Sequence, residues 1–126
     1  MNIISRKAHG VLDYVVGAVL IFAPQMFGFD SGGPEQGVPV FLGIATLIYS
    51  FLTNYELGLI KIIPFRLHLG LDILNAMVLT ASPWLFAFSD RVWVPHLVLG
   101  LTEIAVISMT RKPAPDESAP GTPAHT

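Results

Sequence analysis

Four apolar stretches, each close to the length of a bilayer-spanning helix, take up most of this 126-residue chain. They run approximately from Ala8 to Phe29, Val38 to Tyr55, Leu67 to Phe88 and Trp93 to Thr110. A helix rises about 1.5 Å per residue, so roughly 20 residues cross a hydrocarbon core about 30 Å thick. With 52% hydrophobic and only 13% charged residues, the chain lacks the polar surface a small soluble domain needs. Helices satisfy the backbone of a spanning segment internally, so the expectation is an all-α, four-helix transmembrane bundle.

The opening segment has a signal-peptide rival, because Arg6 and Lys7 precede its apolar run. His9 and Asp13 interrupt that run, no A-x-A site follows, and it reaches Phe29, well beyond an h-region of about 7 to 15 residues. It is read as a retained helix. The loops between spans are short and polar: Asp30 to Gly37, then Ser89 to Arg91, with a longer connection from Asn54 to Arg66 along the interface.

Basic residues set the direction. Arg6, Lys7, Lys61, Arg66, Arg111 and Lys112 fall on one side and Arg91 alone on the other. The positive-inside rule then places both termini and the middle connection in the cytoplasm, with Trp84 and Trp93 at the outer headgroup region. Residues 1–112 form the membrane domain, and the proline-rich stretch 113–126 reads as a disordered cytoplasmic tail. A net charge of -2 gives no reason to expect nucleic acid, and the absence of cysteine excludes disulfides and thiolate chemistry.

The chain repeats itself. A shift of 59 residues lays Lys7, His9, Asp13, Pro24, Phe27 and Phe29 on Arg66, His68, Asp72, Pro83, Phe86 and Phe88. A shift of 56 lays Val38, Pro39 and Thr46 on Val94, Pro95 and Thr102. The halves, about 6–56 and 65–112, are thus tandem hairpins related by a pseudo-two-fold axis along the membrane normal, a parallel repeat. Pro24 and Pro83 lie near the outer boundary, where a proline kinks or ends a helix and turns the following aromatic segment along the interface.

At Ser82-Pro83-Trp84 the sequence resembles the SPW-repeat family of small bacterial membrane proteins, whose repeat carries this tripeptide in the first of two membrane helices. The first half departs from it, keeping only Pro24 in Ala23-Pro24-Gln25. The resemblance implies a multi-pass protein of the bacterial inner membrane and carries no activity with it.

His9 and Asp13 are four residues apart, as are His68 and Asp72, so each pair shares a helix face, with Asn75 one turn beyond the second pair. Glu103 lies at a similar depth, roughly 10 Å from the cytoplasmic end of the last span. Gly43, Thr46, Ser50 and Thr53 give the second span a small, weakly polar face suited to close helix contact. Ionisable groups are costly against lipid, so His9, Asp13, His68, Asp72, Asn75 and Glu103 are expected in one inward cluster. Imidazole and carboxylate together suit a divalent metal, and histidine suits a proton relay. The reading adopted is structural: each histidine bonds the aspartate one turn on, Lys7 or Arg66 snorkels to offset the carboxylates, and no cofactor or metal is assigned. His96 is placed at the outer interface, and His125 in the tail is given no role.

No H-E-x-x-H, G-x-S-x-G or Walker-type sequence is present. A membrane enzyme is therefore the third choice. The leading expectation is a structural, accessory or partner-binding membrane protein, in contact with the lipid bilayer and with copies of itself or another membrane protein. The alternative is a transporter or channel subunit moving protons or metal ions through the inner His/Asp/Glu cluster.

Overall fold

The computed structural model describes residues 2–112 and is all-α: α1 (Arg6–Met26), α2 (Pro34–Phe51), α3 (Phe65–Leu85) and α4 (Val94–Met109). The helices are antiparallel hairpins in sequence, α1 packed on α2 and α3 on α4, with α2 and α3 in contact between the hairpins. α1 and α3 are both 21 residues long and begin 59 residues apart, as the repeat predicts.

Local chemistry sets the helix ends. Ser5 caps α1, its hydroxyl accepting from the Ala8 N–H at 3.1 Å, and Pro34 opens α2 where its missing N–H costs nothing. α1 and α3 end in matching Schellman-type caps: the Phe29 N–H donates to the Pro24 carbonyl and the Phe88 N–H to the Pro83 carbonyl, each at 2.8 Å. The left-handed residue in these caps is Gly28 (φ 73°) in the first half and Ala87 (φ 58°) in the second. Each helix thus runs two residues past its proline before stopping. The aromatic segments behind them divide: Phe27 and Phe86 are exposed, whereas Phe29 and Phe88 turn inward and are buried.

Close helix approach follows from small residues. At Gly43 an added Cβ would meet the Gly17 carbonyl oxygen at 2.7 Å, and at Gly100 one would strike Thr80. The polar face expected on α2 does face inward, with Gly43, Thr46 and Ser50 buried.

Burial places the second helices in a different register from the one read off sequence identity. α2 buries Pro39, Gly43, Thr46 and Ser50, and α4 buries His96, Gly100, Glu103 and Ile107, a constant offset of 57 rather than 56. Thr102, matched to Thr46 by sequence, is exposed, and Glu103 takes the equivalent buried position.

The chain closes on itself at the end of the bundle where the hairpins begin and finish. Backbone at Ile4 pairs in parallel with Thr110, and backbone at Ile63 pairs with Thr53. Ile4 and Ile63 are 59 apart and Thr53 and Thr110 are 57 apart, so the entry to each hairpin is tied to the exit of the other. Part of the Asn54–Arg66 connection, expected along the interface, instead enters the bundle: Tyr55 is fully buried against Phe65, Leu69 and Ile107. A second apolar layer of Leu20, Leu42 and Leu79 lies farther along the bundle. The tail and His125 fall outside the described residues.

Candidate functional site

His9 enters from the first turn of α1 and His68 from the first turn of α3, each with its aspartate one turn later on the same face. All four side chains are buried and converge. The shorter contacts cross between the hairpins rather than stay within them. His9 Nε2 lies 2.8 Å from Asp72 Oδ2, and His68 Nε2 lies 2.8 Å from Asp13 Oδ2. The pairing expected within each helix is present but longer, 3.1 Å in both. Residues four apart on a helix are neighbours, so the contacts within each helix form as well, and the facing helix brings the closer partner.

The far nitrogen of each ring is fixed by a threonine at a hairpin exit. Thr110 Oγ1 donates to the Val106 carbonyl at 2.6 Å and lies 2.8 Å from His9 Nδ1. Thr53 Oγ1 donates to the Tyr49 carbonyl at 2.6 Å and lies 2.7 Å from His68 Nδ1. Each hydroxyl hydrogen is committed to the backbone, so the threonine oxygen accepts from Nδ1–H, and His9, which also bonds the Asp72 carboxylate through Nε2, donates from both ring nitrogens. Two tyrosines complete the shell: Tyr49 donates to Asp72 Oδ1, and Tyr55 donates to Asp13 Oδ2 at 3.0 Å.

The two remaining sequence candidates part company. Asn75 donates to the Leu42 carbonyl at 3.1 Å and to Thr46 Oγ1 at 2.9 Å, stitching α3 to α2. Glu103 is buried, and its Oε1 has no hydrogen-bond partner. It lines a cavity of about 20 Å³ together with His9, Asp13, Val16, Asp72 and Val106. A space of that size holds about one water-sized group.

Elsewhere, Arg6 is buried and pairs with Glu56 at 3.3 Å at the end of the bundle where the hairpins begin, while Lys7 is exposed. His96, expected at the interface, is buried between Phe29 and Phe88, with ring centroids 4.9 and 4.8 Å away, and its Nε2–H donates to the Glu35 carbonyl. The aromatic cap residues turned inward by the helix ends cover it. Arg91 grips Glu35 through two hydrogen bonds, at 2.8 and 3.2 Å, and holds its carboxyl at about 2.

Of the tripeptide residues, Ser82 is buried and donates to the Leu79 carbonyl at 2.7 Å, Pro83 is buried like Pro24, and Trp84 is exposed against Trp93 at 6.3 Å. None of them touches the histidine and aspartate quartet.

Sequence reasoning missed Tyr49, Tyr55 and Thr110. The pairing of Thr53 with Thr110 at an offset of 57 is the one signal that points to a hairpin-exit residue, and it competes with the stronger identities at 56. Tyr55 gives no such signal, because its loop position says nothing about its turning inward.

Among the described residues one helix, α1, is long and apolar enough by itself to cross a membrane; α4 is apolar but has 16 residues. A sequence-family profile described as the SPW repeat domain matches residues 7–110. No curated protein and no solved structure matches the chain. The family match and the apolar α1 point to a membrane protein.

Proposed function

The chain belongs to the SPW repeat domain family, and on that premise we propose that it is a four-span protein of the bacterial inner membrane whose buried quartet clasps two hairpins into one bundle. The observation that carries this is the inverted placement of polarity. Beyond the first turn of each helix, every ionisable side chain faces inward, while Phe22, Phe41, Ile48, Leu74 and Val98 are exposed. Such a surface suits lipid, and such an interior suits polar glue between helices.

In lipid the hydrophobic effect does not drive helices together, so association rests on packing and interhelical hydrogen bonds. The quartet supplies that association between hairpins with no chain connection at the site itself. The role is accessory or partner-binding, and apolar outer faces allow contact with further copies or with another membrane protein.

Both termini and the middle connection lie in the cytoplasm on the positive-inside rule. Reporter fusions test this directly. Fusions after Gly33 and Asp90 report outside and those after Lys61 and Lys112 report inside; a reversal at Gly33 or Lys61 removes a span or inverts the topology and defeats the reading.

A further inference from the structure

The clasp has the features of a metal site. Each of His9, Asp13, His68 and Asp72 offers one nitrogen or oxygen, and the four atoms lie within 4.8 Å of one another in a buried position. Both rings donate from Nδ1 to Thr110 and Thr53, which directs Nε2 to the centre of the quartet, and the proton that Nε2 shares with a carboxylate leaves to solvent when a cation takes its place. A metal-bound imidazole is held in the same way, by a hydrogen bond from the nitrogen that does not ligate.

Two polar groups at the site have no protein partner that satisfies them. His68 Nε2 is fully buried and lies 2.8 and 3.1 Å from two carboxylate oxygens, but without a hydrogen bond's alignment to either. Glu103 Oε1 is buried and unbonded, in the cavity that three of the four quartet residues line. Buried polar atoms nearly always have a partner, so an orphan inside the quartet at His68 and another at Glu103, in the water-sized space beside it, point to a ligand.

From these we propose that the quartet binds one divalent transition cation of the zinc class between the hairpins, with Glu103 as a carboxylate at the mouth of the site. Charge and geometry agree with this. The two aspartate carboxylates and two neutral imidazoles carry a charge that one divalent ion cancels, leaving only that of Glu103 at the mouth of the site. Ligand distances of about 2.0–2.2 Å to zinc in a tetrahedron correspond to edges of roughly 3.3 Å. The present nitrogen-to-oxygen separations of 2.8 and 3.1 Å, which involve both oxygens of Asp13, need to open by a few tenths of an ångström, while the widest separation in the quartet, up to 4.8 Å, needs to close as the side chains gather on the ion. An N₂O₂ donor set without thiolate favours zinc, manganese or iron over copper(I).

The ion enters through the less closely packed α1–α4 side, where Val16, Glu103 and Val106 line the cavity. This inference rests on the quartet being the joint between the hairpins, because a cation held by two residues from each would strengthen that joint.

The test uses the full chain, purified in detergent and stripped with a chelator, and titrated with zinc ion alone. The expected result is one zinc per chain by elemental analysis, a higher melting temperature with zinc, and visible absorption bands of tetrahedral cobalt when Co²⁺ replaces it. H68Q and D72N lose at least 100-fold in zinc affinity, and E103Q loses about 10-fold, in the range for groups that tune a metal site. A folded wild-type protein that takes up no stoichiometric zinc overturns the proposal, as does equal affinity in folded H68Q and D72N. Where those variants do not fold, the cobalt spectrum of the wild type decides, and octahedral cobalt overturns the site. Failure to bind metal leaves the clasp intact if H68Q and D72N still melt well below the stripped wild type; the clasp itself fails if they melt with it.

Discussion

Across the seam between α2 and α3, Asn75 bonds Thr46 and the Leu42 carbonyl, and Tyr49 reaches Asp72. Across the seam between α4 and α1, the equivalent positions carry Val16 for Asn75, Glu103 for Thr46 and Val106 for Tyr49, and a cavity lies among them. α2 and α3 pack along each other, whereas α1 and α4 approach only sparsely. The repeat thus builds the same scaffold twice but fills the two seams differently. Replacing a tyrosine by a valine removes both a hydroxyl donor and the ring volume that would close the gap. Placing a carboxylate where its partner position holds a valine leaves an acceptor with nothing to accept from. The α2–α3 seam is not closed either, since an apolar groove of about 560 Å³ lined by Phe41, Tyr49, Leu74, Asn75 and Val78 runs along it, so the two seams differ in the hydrogen bonds that cross them.

The quartet joins both seams, so its loss has the largest effect. Asp72→Ala leaves His9, His68 and Tyr49 without their shared carboxylate and should cost about 3 kcal/mol, as removal of one partner from a buried ion pair does. Thermal unfolding in detergent measures it, and a loss below that of an exposed substitution would break the comparison at its centre.

Exchanging the seam residues comes next. Asn75→Val should cost about 1–2 kcal/mol through its two lost hydrogen bonds. Val16→Asn should gain up to about 1 kcal/mol by offering Glu103 a donor. Opposite signs for these two substitutions in the same melting assay would sharpen the contrast, and equal signs would dissolve it.

The helices and the four inward site residues on α1 and α3 were legible because their periodicity and the offset of 59 are local properties of two equal helices. Register on α4 was not. Pro39 and Pro95 match at 56, but proline identity reports where a backbone turn is tolerated and carries no information about which face is buried. Glu103 lines the cavity beside His9, Asp13 and Asp72, and its equivalence to Thr46 was not legible. Tyr55 and Thr110 were invisible because they reach the site only through closure of the chain ends, where Ile4 meets Thr110 and Ile63 meets Thr53.

A smaller difference separates the two halves at the turns that end α1 and α3. Gly28 and Ala87 occupy the same left-handed position, and a side chain there costs about 1 kcal/mol. Ala87→Gly should recover that amount in thermal stability, whereas Gly28→Ala should lose it.

The smallest effect is the pH response of the clamp between Arg91 and Glu35. Arg91 holds the Glu35 carboxyl at about 2, below its usual 4.5. A depressed folded value means this contribution is present above 4.5 and fades as pH falls from 4.5 toward 2. Arg91 is half exposed, so solvent and salt screen the pair. The wild type should lose more melting temperature across that window than Arg91→Ala, and parallel curves would remove the clamp from consideration.

A double-mutant cycle between His9 and Asp72 tests the clasp most directly, because these residues belong to different hairpins and touch only there. With His9→Gln, Asp72→Asn and the double variant measured by unfolding in detergent, clasped hairpins give a coupling energy of about 1 kcal/mol, within the range for polar contacts in membrane bundles. Effects that add to within about 0.3 kcal/mol would show that the two side chains do not hold the hairpins together.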